Sequence, residues 1–440
     1  MCDFAAWPLA CFVPVTPPDD TETTARAASD EAKKGFPPAA PRRRRSGSYV
    51  VRLRPATAGG AHGHRRLHSL VRAHGMRAES LQMLGDSGHT FVARLRAADR
   101  AHSRGSAAAR LAAHPEIERL ERNVTYRACV FSAPSPASSQ RVDWGIQRVG
   151  ASLSSTKSGD GQGTAGGNVH VFVLDTGVTH PDVAVVEDRF FLGGSASDEN
   201  GHGTFCAGVI GALDNSSYTV GVCPGVPVHN FRVLDENGAG TLASLVAAMQ
   251  AVLAWRAANP GTPCVVSMSL GVPAPAWNML DGLVQSAIND SGIVVCVAAG
   301  NDGVDCAGNS PAHVPEAITV GAYDSSDRLA PWSNWGPDVD LLAPGANILA
   351  LWPTSGPAAS ADGGDPAAGV HTLSGTSMAT PCVAGVAALY LSRFPRATPA
   401  QVKSALIDAA ARARDSGQNP PIDLQGRAGT TALGVWAGAF

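Results

Sequence analysis

Between residues 169 and 321 the chain repeats one kind of unit. A short run of β-branched and apolar residues is followed by a break of small or polar residues, then by a longer stretch. The runs are 169–174, 226–233, 264–269 and 293–298, with a shorter one at 317–321. Apolar runs that do not alternate with polar residues belong to strands covered on both faces. Residues 241–258 read as a helix stopped by Asn259-Pro-Gly261, and a second helix is expected between the third and fourth runs. The pattern predicts an α/β fold, a parallel sheet covered by helices on both faces. Chemistry in such sheets gathers beyond the carboxyl ends of the strands. Asp175, Gly271 and Asn301 stand there.

The rest of the chain divides around this unit. Residues 1–47 read as a disordered or targeting segment. Their apolar stretch, residues 4–15, follows Asp3 where a secretory signal carries a cation, and Arg42–Arg45 form a basic linker. Residues 48–127 read as a small α+β domain: strands at 48–54, 90–95 and 117–124, helices at 64–74 and 104–113. Gly85-Asp-Ser-Gly88 reads as a turn. The irregular, Pro- and Ser-containing stretch after it, taken as 128–141 with its irregularity starting near 126, is expected to be a linker. The large domain fills 142–440.

Charge is split between the halves. Residues 1–130 carry 21 basic and 12 acidic residues, residues 131–440 carry 13 and 25. A basic half often means nucleic acid. Here the acidic half of the same chain is the expected partner. No apolar run reaches the ~20 residues of a spanning helix, so no membrane span is expected. Nine cysteines include no metal-type pair. Cys264 and Cys296 lie in strand-like runs and read as buried thiols.

Ser377 lies in Leu373-Ser-Gly-Thr-Ser-Met-Ala-Thr-Pro381, ahead of an Ala- and Gly-rich run, 382–391, read as a helix starting near the serine. Alone, a Ser before an apolar run is a helix cap. His202 opens another helical run between glycines, in Asn200-Gly-His-Gly-Thr204, and Asp175 ends the first strand. A serine nucleophile needs a base, and the base needs a carboxylate to fix its tautomer. Asn301, after Ala298-Ala-Gly300, offers an amide to an oxyanion together with the Ser377 N–H.

These stretches, with Ser-Met-Ser269-Leu-Gly271, resemble the subtilisin family of serine peptidases, in its proteinase K-like branch because Cys206 follows the histidine motif. The resemblance covers 142–412, and residues 48–125 resemble the family's inhibitory propeptide. It implies a serine endopeptidase, made as a self-processing zymogen, with an Asp175/His202/Ser377 triad and Asn301 at the oxyanion. Gly238, Gly240, Leu242, Ser269, Leu270 and Gly271 would flank an extended substrate. Ala298, Ala299 and Gly300 would line the primary pocket, favouring broad, apolar specificity. Pro315 and Ala317 carbonyls with Asp340 match a family calcium site, and no cofactor serves the chemistry. The implied enzyme is a secreted or vacuolar monomer whose partners are protein and peptide substrates and its own propeptide, not nucleic acid. Cleavage is expected within 126–140. Departures are Phe205 and Cys382 where the family has histidines, Cys306 without its half-cystine partner (Asp338 stands there), and an insertion at 353–369.

Two rivals come from other classes. An aspartic protease would use Asp175-Thr-Gly177 with Asp290-Ser-Gly292 and leave the histidine and serine motifs unexplained. A binding protein would keep its propeptide clamped over the cleft.

Overall fold

The computed structural model describes residues 47–54, 60–84, 89–97, 104–128, 131–133, 140–162, 168–195, 197–274, 276–359 and 368–440. The segment 1–46, the turn at 85–88 and most of the 353–369 insertion lie outside them.

The small domain runs β1 (Gly47–Leu53), α1 (Gly60–Ala73), β2 (Met76–Leu84), β3 (Thr90–Ala97), α2 (Arg104–Ala112) and β4 (Ile117–Arg122). Its antiparallel sheet has the order β2-β3-β1-β4. β1 alternates as expected: Tyr49, Val51 and Leu53 pack with Leu67, Leu70, Val71 and Leu111 of the helices. Val50, on the other face, joins a core built around the large domain's helices. β2 has no legible alternation. Most of its residues stay partly or fully accessible, so it is held by its ladder to β3.

Two short strands follow, β5 (Thr125–Ala128) and β6 (Phe131–Ala133). This corrects the expected irregular linker. Neither strand pairs within its own domain, so nothing in the local pattern shows its partners.

The large domain opens with α3 (Trp144–Arg148), β7 (His170–Asp175), β8 (Val185–Phe190), α4 (His202–Gly211) and β9 (Val228–Arg232). Then come β10 (Ala239–Thr241), α5 (Leu242–Ala258), β11 (Cys264–Met268), β12 (Leu270–Pro273), α6 (Met279–Asn289) and β13 (Val294–Ala298). The chain continues with β14 (Asn309–Ser310), β15 (Ile318–Tyr323), β16 (Leu341–Pro344), β17 (Ile348–Leu351) and β18 (Val370–Ser374). It closes with α7 (Thr376–Arg393) and α8 (Pro399–Asp415).

Seven parallel strands form the central sheet, in the order β16-β15-β13-β11-β7-β9-β8. Successive residues point to opposite faces. Val171, Val173, Val265 and Cys296 therefore meet α4, α7 and α8. Phe172, Leu174, Val266 and Val297 meet α5 and α6. The strands read as unbroken apolar runs because both faces are covered. Small residues let α7 cross the middle of the domain: a Cβ on Gly385 would stand 2.7 Å from the Val222 side chain.

The small domain docks on α5 and α6 with its sheet. Glu121 Oε2 accepts from Met279 N at 2.8 Å, and Asn123 Oδ1 from Ala243 N at 2.9 Å. Each satisfies an unpaired N–H in the first turn of a helix. Burial pushes the Glu121 carboxyl above its usual range, and the Met279 N–H pulls it back. The small domain thus meets the large one through helix caps and apolar packing, with the acidic Glu121 among the capping groups.

Candidate active site

Asp175 is the last residue of β7, Asn301 follows the end of β13, and His202 and Ser377 lie in the first turns of α4 and α7. All four are buried. His202 Nδ1 donates to Asp175 Oδ1 at 2.7 Å, and Thr176 N donates to the same oxygen, also at 2.7 Å. Burial favours the neutral imidazole, but the Asp175 carboxylate outweighs it, and the proton affinity of His202 is raised. Its Nε2 is buried without a hydrogen-bond partner. Ser377 Oγ donates to the Ser269 carbonyl at 2.9 Å, and Ser269 Oγ donates to the Ser377 carbonyl at 2.9 Å. Asn301 Oδ1 accepts from Thr376 N and Thr376 Oγ1, at 2.9 and 2.8 Å. This fixes the amide so that Nδ2 is a buried donor without a partner, which is the group an oxyanion needs.

The residues expected to flank a substrate hold a strand of the chain itself. β5 lies antiparallel between β10 and β12. Gly240 pairs with Tyr126, Leu270 with Ala128, and Gly271 with Arg127. Gly238 O accepts from Ala128 N at 2.8 Å, and Leu242 N donates to Val124 O at 2.8 Å. A Cβ on Gly240 would lie 2.3 Å from Val233 O, so only glycine lets the edge come this close. β6 then pairs with β18, Phe131 against Ser374, three residues before Ser377. Tyr126 is fully buried in the same cluster as Leu242 and Leu270, with its hydroxyl 3.4 Å from Ser310 Oγ. Asn278 and Asp281 bond Ser310 below it. Ala298 ends β13, Ala299 O accepts from Asn334 Nδ2 at 2.9 Å, and Gly300 has φ 103°.

Asp198 escaped the sequence reading. It is buried and accepts from Thr176 Oγ1 (2.9 Å), Asn200 N (3.0 Å) and Gly201 N (2.7 Å) on Oδ1. On Oδ2 it accepts from Thr204 N (2.9 Å) and Thr204 Oγ1 (2.6 Å). Thr176 Oγ1 also accepts from Gly203 N at 2.8 Å. This network ties the turn after Asp175 to the helix of His202. The only signal was an Asp just before a helix start, which reads as a cap. Cys206 puts Sγ 3.9 Å from His202 Nδ1 and 3.5 Å from Ser377 O. Burial raises its thiol.

The expected calcium ligands need a correction. Pro315 O, Ala317 O and the Asp340 carboxylate do converge, but on Lys403 Nζ of α8, at 2.8, 2.8 and 2.7 Å. No spacing in the sequence links residue 403 to the other three. Asp290, of the aspartic protease reading, caps α6 far along the chain from any triad motif and bonds Ser286. Phe205 and Cys382 are buried in α4 and α7. Cys306 is a free, buried thiol, like the other five cysteines described. Burial pushes Cys264 up to about 12. At the insertion, Trp352 Nε1 donates to Ala358 O at 3.0 Å, while its ring covers Gly201, next to His202.

The sequence model of the Subtilase family matches residues 166–427. The extracellular serine proteinase of Thermus sp. (strain Rt41A) is 41% identical over 354 residues, covering 77% of each chain. Subtilisin DY of Bacillus licheniformis is 36% identical over 262 residues, 58% of this chain and 88% of that one. The crystal structure of a cold adapted subtilisin-like serine proteinase superposes with a TM-score of 0.54 at 34% identity, covering 69% of this chain and 99% of that one. The site and fold together define a serine-type endopeptidase. The chain belongs to the subtilase family.

Proposed function

We propose that Asp175, His202 and Ser377 hydrolyse peptide bonds through an acyl-enzyme. Asp175 holds the tautomer of His202 and supports its positive charge. His202 takes the Ser377 proton at Nε2 as Oγ turns from the Ser269 carbonyl to attack the peptide carbonyl. Asn301 Nδ2 and the Ser377 N–H receive the oxyanion. His202 then passes its proton to the leaving amine, and water releases the acyl group. Family chemistry of this kind needs no cofactor.

The observation that carries this reading is the placement of residues 124–128 and 131–133. The first leave the small domain and run between β10 and β12, and the second pair with β18 three residues before Ser377. A substrate bound by strand addition would take the same course. Residues 48–127 then act as an inhibitory propeptide, 128–141 carry the processing site, and 142–440 are the catalytic domain. Tyr126 marks a deep apolar subsite, in keeping with an apolar-leaning preference for protein and peptide substrates. The names of relatives, extracellular among them, support secretion.

β5 ends at Ala128 and β6 begins at Phe131, opposite Ser374. The processed bond proposed is Cys129–Val130, which lies between them in sequence. Purified full-length protein and its Ser377→Ala variant decide the matter by intact mass and amino-terminal sequencing. Cleavage before Val130 in the native chain, with the variant whole, is expected. Equal cleavage in the variant, or a native chain that stays whole, would refute self-processing by Ser377.

A further inference from the structure

We infer that the ammonium of Lys403 replaces a calcium ion in this chain as a cation built into the fold. The oxygens that would bind the metal are present: Pro315 O and Ala317 O ahead of β15, and the Asp340 carboxylate ahead of β16. Their separations from Nζ, 2.7 to 2.8 Å, are those of charge-assisted hydrogen bonds. Calcium would draw oxygens in to about 2.3–2.6 Å, and it would complete its six to eight ligands with water beside these three. An ammonium has three N–H donors, and three acceptors are supplied. The carboxylate's second oxygen is also engaged, accepting from Thr319 N at 2.9 Å.

Charge favours the same occupant. One carboxylate neutralises an ammonium and leaves a calcium ion with a net positive charge. A calcium ion sharing these oxygens would also sit against the ammonium at contact distance, where like charges repel strongly. Lys403 side chain and Asp340 side chain are 20% and 17% exposed, so the pair is largely sheltered from solvent. Calcium joins segments only while it is bound. Lys403 is part of α8 and ties it to the β15 and β16 approaches by hydrogen bonds and an ion pair at any calcium concentration. Stability at this site is therefore independent of calcium.

The test uses the full chain carrying Ser377→Ala, so that self-digestion does not shift the melting. Thermal unfolding is followed in millimolar calcium and in EDTA, for this chain and for chains also carrying Asp340→Asn or Lys403→Ala, and calcium uptake is titrated by calorimetry. The parent is expected to melt at the same temperature in both media, or with a difference that Asp340→Asn leaves intact because it arises elsewhere. Lys403→Ala is expected to melt lower in EDTA, to gain one equivalent of calcium and to recover with it. A calcium-dependent rise in the parent that Asp340→Asn abolishes would overturn the inference. So would a folded Lys403→Ala chain that takes up no additional calcium. The parent and Asp340→Asn pair decide the question if Lys403→Ala does not fold.

Discussion

Asp198→Asn tests whether the carboxylate before α4 positions the triad without touching substrate. All five of its hydrogen bonds point inward, from Thr176, Asn200, Gly201 and twice from Thr204. The substitution keeps the volume and one acceptor oxygen but turns the other into a donor. With the amide NH2 at Oδ2, Thr204 N faces a second donor and Thr204 Oγ1 must rotate. One buried unsatisfied N–H and one weakened charged bond, each about 1–3 kcal/mol, give a loss of about 2–6 kcal/mol. In a chain this large that is a fall in melting temperature of roughly 3–8 °C. The rate should suffer as well. Thr176 Oγ1 links Asp198 to Gly203 N, so relaxation here shifts His202 against Asp175. A displacement of ~1 Å costs about 100-fold in rate, and the expected fall in kcat is about 10- to 100-fold with KM nearly unchanged. Progress curves on a chromogenic peptide with the processed enzyme give the split, and calorimetric scans in a Ser377→Ala background give the stability. A variant within twofold of native kcat, whatever its melting temperature, would refute the positioning role.

Two further substitutions probe the fit of the chain's own strand and the effect of pH. Tyr126→Ala should weaken inhibition by the separately added amino-terminal domain by about 100-fold or more, the scale of deleting a buried aromatic side chain, 3–5 kcal/mol. Tyr126→Phe should lose about tenfold or less, since its hydroxyl makes one long bond, 3.4 Å, to Ser310; equal inhibition constants for native and alanine forms would count against the buried subsite. Asp143, capping α3, has its carboxyl pushed up to about 6 by burial, although Gly145 N and Leu349 N donate to it. The folded form then holds this proton more tightly than the unfolded chain. Its contribution is complete below about pH 4, and is lost as the pH rises through about 6, by about 2–3 kcal/mol. Unfolding free energies from pH 4 to 7 should fall less steeply in Asp143→Asn, and parallel curves would refute the assignment.

Much of the candidate site was legible because each proposed catalytic group carries a local reason. Asp175 ends an apolar run, His202 and Ser377 open small-residue helices, and Asn301 follows a strand end, all features of nearest neighbours in the chain. Strands of the central sheet were legible for the same reason, since burial on both faces leaves an unbroken apolar run. β2 was not, because an edge strand with accessible side chains keeps no such pattern. The linker at 126–142 looked irregular for a related reason: β5 and β6 draw their order from backbone partners more than a hundred residues away.

The sequence by itself thus determined the class of fold and the order of the motifs, and it named the residues proposed to react. Periodicity, small residues and end-of-strand positions act over a few residues and are written in the chain. Only the tertiary structure decided which donors surround Asp198, which strands pair with β5 and β6, and which cation the Asp340 oxygens hold. Hydrogen bonds and ion pairs depend on distance in space. Lys403 lies 63 residues beyond Asp340 in sequence and 2.7 Å from its carboxylate in the fold.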